Sequence, residues 1–135
     1  RYIPDRDVTV WMQYYLQAHV DQAHASLEFI RRAVNELDAL SEAFRQEDIT
    51  TWQVLAIWVA CSQGQISNRD LQSLSGRAPQ TVVLDFTKLL GKNLLDRIGR
   101  GRNTAYVPTQ RVKEIFERVQ SEYEANKVEA ATSGT

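Results

Sequence analysis

The side chains best suited to catalysis or metal binding are two histidines, His19 and His24, and one cysteine, Cys61. The histidines stand five apart, about 500° around a helix, so they do not share a face as a metal-binding pair four apart does. They read as solvated helix histidines. Cys61 ends the apolar run from Val54 and has no His or Lys near it in sequence; it reads as a buried, inert thiol. A single cysteine closes no internal disulfide, which points to a reducing compartment and a cytoplasmic location. Gly99-Arg100-Gly101-Arg102 superficially suggests a nucleotide-binding loop, but no Gly-Lys-Ser/Thr follows and no helix opens there. Trp52 and Trp58 read as core or interface residues rather than ligand stackers. The sequence thus offers no catalytic residue, no metal site and no cofactor, and the expectation is binding rather than chemistry.

Charge carries more information. The chain has 16 basic and 17 acidic residues, a formal net charge of -1, which excludes a generally basic chain built to coat nucleic acid. The charges are segregated, however. Residues 77–113 hold eight basic residues (Arg77, Lys88, Lys92, Arg97, Arg100, Arg102, Arg111, Lys113) and two acidic ones (Asp85, Asp96), a surplus of six positive charges. Residues 1–48 hold five basic and nine acidic residues. A localised basic patch is the footprint of a phosphate-binding face.

The elements that must position this patch follow from the glycines and prolines. The chain has 135 residues, 43% hydrophobic and 24% charged, which fits one globular domain, or a small domain with an appendage, and argues against disorder. No Gly or Pro occurs from Asp5 to Gln63, whereas seven of the nine lie between Gly64 and Pro108. A long helical half therefore precedes a compact, turn-rich module and a final helix. The spacing predicts one long helix from Val8 to about Phe44, with a stripe of Trp11, Tyr14, Tyr15 and Ala18, then Leu27, Ile30, Val34, Leu37 and Phe44. The stretch from His19 to His24 is its weak point. Such a stripe needs a partner, and Leu27, Ile30, Val34 and Leu37 are the candidate homodimer contacts. A second helix opens at Thr50 or Thr51, both good N-caps, and runs to about Ser62. It is apolar on more than one side. No run of the sequence is long and apolar enough to span a membrane, and no secretory signal is visible.

Within the module, a short extended piece at Gln65-Ile66 leads to Ser67-Asn68-Arg69-Asp70, which has capping-box spacing. A short helix carrying Leu71 and Leu74 ends at Ser75-Gly76. The turn Gly76-Arg77-Ala78-Pro79 opens a further helix from Gln80 to about Leu90, with an inward stripe of Val82, Phe86, Leu89 and Leu90. Two short runs, Leu94 to Ile98 and Thr104 to Pro108, flank a glycine-rich tip and form a hairpin. A last helix after Thr109 carries Val112, Ile115, Phe116, Val119 and Tyr123, and residues 129–135 read as a disordered tail.

Helix, short strand, helix, tight turn, helix and hairpin is the plan of a winged helix-turn-helix domain. The expected architecture is all-α with a small β-wing: a long N-terminal segment over residues 1–48 and a winged helix-turn-helix domain over residues 49–128. The third helix would enter a major groove of double-stranded DNA, with Arg77, Gln80, Thr81 and Lys88 facing the bases. Arg100, Arg102 and Asn103 would lie on the wing, against phosphates or a minor groove. Val83 and Leu84 disturb this picture, because they fall near the outward face, and Asp85 there would repel phosphate. Two exposed aliphatics favour an alternative: a protein-interaction and dimerisation module that uses Val83, Leu84 and the long helix without binding DNA.

The stretch Asp7-Val8-Thr9-Val10-Trp11-Met12-Gln13-Tyr14-Tyr15-Leu16 resembles the segment following the catalytic core in Fic family proteins, where a similar Asp-x-Thr-x-Trp run opens a helix. Many Fic proteins carry a long helix and a C-terminal winged-helix domain, with a wing similar to Gly99-Arg100-Gly101-Arg102. The Fic signature itself, His-Pro-Phe-x-(Asp or Glu)-Gly-Asn-Gly-Arg, has no counterpart: Val20 follows His19, and Ala25 follows His24. The resemblance therefore implies a non-catalytic, C-terminal part of a larger Fic-like protein, whose upstream domain would transfer AMP. The chain opens on Arg1 rather than Met, which accords with that expectation.

Overall fold

The computed structural model describes residues 27–133. The first part of the long helix expected from Val8, the two histidines and the Asp7–Leu16 run lie outside the described residues.

Helix α1 (Leu27–Ala43) buries Ala33, Glu36, Leu37 and Leu40. Phe44 and a 3-10 turn (Arg45–Glu47) follow, and Asp48 turns the chain with a left-handed backbone, φ 57°. Helix α2 (Thr51–Gln63) starts at a reciprocal cap: the Thr50 hydroxyl accepts from the Gln53 N–H, and the Gln53 side-chain carbonyl accepts from the Thr50 N–H at 2.9 Å. Every residue from Gln53 to Ala60 is buried, because the helix runs through the centre of the domain and packs on α1 and on the module that follows it. A helix apolar all round needs such a setting.

Helix α3 (Asn68–Ser75) has the expected capping box, with Ser67 and Asp70 bonding each other's backbone N–H groups. Gly76, at φ 68°, ends it in the left-handed region. Helix α4 (Pro79–Gly91) begins directly on proline, where the missing N–H costs nothing. Strands β1 (Leu95–Ile98) and β2 (Ala105–Pro108) pair antiparallel in the register Leu95–Pro108, Asp96–Val107, Arg97–Tyr106 and Ile98–Ala105. Ile66 adds an isolated antiparallel bridge through two backbone bonds to Tyr106, of 2.9 and 2.8 Å. Helix α5 (Gln110–Ser133) then returns along α1.

Polar contacts also join α1 to α5. Tyr123 donates to Glu28 at 2.7 Å, Lys127 lies 3.2 Å from the same carboxylate, and Arg32 pairs with Glu124 while lying over the Tyr123 ring. The Tyr123 hydroxyl bond, then Lys127, holds the Glu28 carboxyl below its ordinary range.

Two sequence expectations change here. Leu37 lies in the core, 5% exposed, so it does not serve as a dimer contact; Ile30 and Val34 also pack against the core as half-buried residues. Their stripe is taken up by α2 and α5 of the same chain. The expected tail from residue 129 is helical through Ser133, in keeping with the good helix formers Glu129, Ala130 and Ala131.

Candidate nucleic-acid interface

Helix α4 divides cleanly by angle. At about 100° per residue, Val82, Asp85, Phe86 and Leu89 fall on one side, and Gln80, Val83, Leu84 and Thr87 fall within an arc of about 100° on the other. The first set is buried and the second exposed. Leu84 is 67% exposed and Val83 47%, so both aliphatics stand on the surface. Thr81 and Lys88 are half-buried on one flank of that face, beside Leu84, and Ala78 and Pro79 are exposed at its start.

Asp85 departs from expectation. It points inward, 4% exposed, accepting from the Gln53 amide at 2.9 Å and from Arg77 Nη1 at 2.7 Å. A carboxylate between two donors tolerates burial, and it presents no charge to a phosphate on the outer face. Arg77 departs from expectation with it. Its guanidinium reaches from the turn between α3 and α4 to Asp85, fixing that turn to α4, and is not a free groove contact. Backbone bonding reinforces the turn, since the Ser75 hydroxyl donates to Leu71 O and accepts from the Arg77 N–H.

The wing is fastened to the same helix. Phe86 and Tyr106 stack with ring centroids 4.0 Å apart and planes 5° from parallel, joining the buried side of α4 to β2. At the tip, Gly99 has φ +76°, and a β-carbon there would collide with the backbone carbonyl of Asn103. Only glycine allows so close an approach. Gly101, Arg102 and Asn103 form a 3-10 turn that leaves Arg100, Arg102 and Asn103 exposed.

The eight cations of residues 77–113 now separate into groups. Arg77 pairs with Asp85, and Arg111 with Glu47. Lys113 lines a cleft of about 730 Å³ between α1, α2, β2 and α5, together with Phe29, Glu36, Trp58, Cys61 and Phe116. Lys88, Lys92, Arg97, Arg100 and Arg102 make no ion pair among the described residues. All five belong to α4, the turn after it, or the wing. The cleft has no residue of α4 or the wing tip in its lining. Burial pushes the Cys61 thiol up to about 12, which makes it a poor nucleophile. Among the described residues no cluster of His, Cys, Asp and Glu could hold a metal ion.

No protein-family model matches the sequence, and no curated protein matches it. Solved structures do. The chain is similar to RV1404 from Mycobacterium tuberculosis, 16% identical with a TM-score of 0.54, over 92% of this chain and 78% of that one. The chain has a winged-helix fold. A second winged-helix structure, Staphylococcus aureus MepR in complex with DNA, is 18% identical with a TM-score of 0.51, over 82% of this chain and all of the other. A further structure of MepR, a transcription regulator of the Staphylococcus aureus multidrug efflux pump MepA, is 16% identical with a TM-score of 0.50, over 81% and 84% of the two chains. The winged-helix plan read from the sequence is therefore present, while the Fic resemblance gains no support from these structures.

Sequence reasoning missed two contacts that shape the face, Gln53 with Asp85 and Phe86 with Tyr106, and one in the cleft, where the Glu36 carboxylate accepts from Trp58 Nε1 at 3.0 Å and from Gln120 at 3.3 Å. Each pair is separated by at least 20 residues, and no local spacing signals them. Asp85 alone left a trace. Between Leu84 and Phe86, it stands on the inward flank of its helix.

Proposed function

We propose that this chain is a winged-helix DNA-binding module of the regulatory kind and performs no chemistry of its own. Helix α4 enters the major groove through Gln80 and its exposed neighbours, with Thr81 and Lys88 along one flank. Arg100, Arg102 and Asn103 of the wing lie along phosphates or reach into the adjacent minor groove. The observation that carries the reading is the sorting of cations. Of the eight cations of residues 77–113, the five on α4, the turn after it and the wing make no ion pair among the described residues, and α4 and the wing are locked together through Phe86 and Tyr106. A regulator of transcription uses such a module on double-stranded DNA, as the fold shared with the DNA complex of MepR encourages.

Pairing of two copies belongs to the same proposal, because helix-turn-helix proteins commonly bind half-sites one helical turn apart as dimers. Leu27, 61% exposed at the start of α1, is the part of the expected stripe that remains available for it. A larger Fic-like parent is a separate proposal, tested by reading the gene upstream of Arg1 for the catalytic signature.

Backbone amide NMR of the full chain, titrated with a mixed-sequence duplex at low salt, tests the main reading. The amides of α4 and residues 99–103 are expected to shift, and those lining the α1–α5 cleft to stay. Shifts confined to the cleft, or none at all, would overturn it.

A further inference from the structure

Resting on the reading that α4 lies in the major groove, we infer that it recognises thymine methyl groups, so that A·T pairs mark the centre of the target half-site. The outward face of α4 is unusual for a groove reader in what it lacks. The commonest specific contact to DNA is an arginine or lysine fork on guanine, yet no arginine stands on this face. Arg77, the nearest in sequence, is held by Asp85 at 2.7 Å. Lys88 is half-buried at the edge.

What the face presents is apolar. Val83 and Leu84 expose branched aliphatic ends, and Ala78 and Pro79 stand exposed at the helix start, the part of a recognition helix that contacts base edges. Thr87 donates its hydroxyl hydrogen to the Val83 carbonyl at 2.9 Å, which leaves its methyl and an acceptor lone pair for the outside. The polar reader at the centre of the arc is Gln80, whose amide pairs with the N6 and N7 edge of adenine. The major-groove edge of an A·T pair carries both partners: the adenine edge for Gln80 and the thymine C5-methyl for Val83, Leu84 and Thr87. A G·C pair in that place offers no methyl, and its amino and carbonyl groups would be desolvated against aliphatic carbon without compensation.

The same two aliphatics would also suit a protein groove. DNA is the occupant favoured here because the cations Lys88, Lys92, Arg97, Arg100 and Arg102 follow the apolar arc on α4 and the wing. A protein-binding face whose rim carries five cations against the one exposed carboxylate of Asp96 needs an acidic partner, whereas DNA supplies both the apolar methyl and the flanking phosphates.

The test begins with selection of bound sites from randomised duplexes by the full chain at low salt. The best site is then remade with deoxyuridine in place of thymidine, which removes the methyl and keeps every hydrogen-bonding group. Affinity is expected to fall about fourfold per methyl contacted, the worth of one buried carbon. Leu84→Ser and Val83→Ser are expected to bind the thymidine and deoxyuridine duplexes alike, while keeping the salt dependence of the parent. Circular dichroism confirms that these surface variants fold.

Sequence-specific, salt-dependent binding with no loss on deoxyuridine would overturn the methyl reading and leave DNA binding intact. Enrichment of G·C-rich sites, or of no sequence, would do the same. Absence of binding to any duplex would overturn both, and would return Val83 and Leu84 to the protein-interaction reading.

Discussion

Asp85 decides how α4 is mounted. Its carboxylate is the joint between three elements, taking the Gln53 amide from α2 and the Arg77 guanidinium from the turn before α4. Asp85→Ala leaves both donors without an acceptor. Arg77 is only 25% exposed, so part of the loss is recovered by water and part is not. Urea denaturation is expected to show a destabilisation of about 2 kcal/mol, below the value for a wholly buried pair. Arg77→Ala is expected to cost stability too, where removal of a free groove contact would weaken DNA binding alone. At this scale the sequence was partly legible. Val83 and Leu84 announced themselves as outward by position, and the capping pairs Thr50 and Ser67 by type. Asp85, Arg77 and Leu37 were misplaced because their roles depend on neighbours 8 to 32 residues away or on the other helices, which spacing within one segment does not encode.

The wing and α4 behave as one element. The Phe86–Tyr106 stack, the Ile66 bridge and the α4–β1 packing hold the hairpin at a fixed angle to the helix. Gly99 sets the shape of the tip. Gly99→Ala meets both the left-handed backbone and the Asn103 carbonyl, whereas Gly101→Ala, at φ +54°, meets open space. The first is expected to destabilise by about 2–3 kcal/mol and the second by about 1 kcal/mol, measured as a difference in urea midpoints. Equal costs would show that the tip relaxes freely. These elements were the most legible part of the sequence, since glycine, proline and capping residues act locally and mark boundaries that the fold keeps within a residue or two. The end of α5 was not, because a polar stretch of Glu, Ala and Lys reads equally as solvated helix or as tail.

For the whole molecule the central claim is electrostatic. A chain of net charge -1 binds a polyanion only if its positive charge is gathered on one face, and five of the nine cations without ion-pair partners among the described residues fall on α4, the turn after it and the wing. The +6 surplus legible in the sequence, in which Arg77 and Asp85 already cancel, overstated this, since folding pairs Arg111 with Glu47 and turns Lys113 to the cleft. Counterion release makes the count measurable. Fluorescence anisotropy of a mixed-sequence duplex, titrated with the full chain at several salt concentrations, is expected to give log affinity falling with log salt at a slope near about -4 per copy bound, with Arg102→Ala lowering its magnitude by about 1. Absence of binding at low salt, or a slope unchanged in Arg102→Ala, would contradict the account.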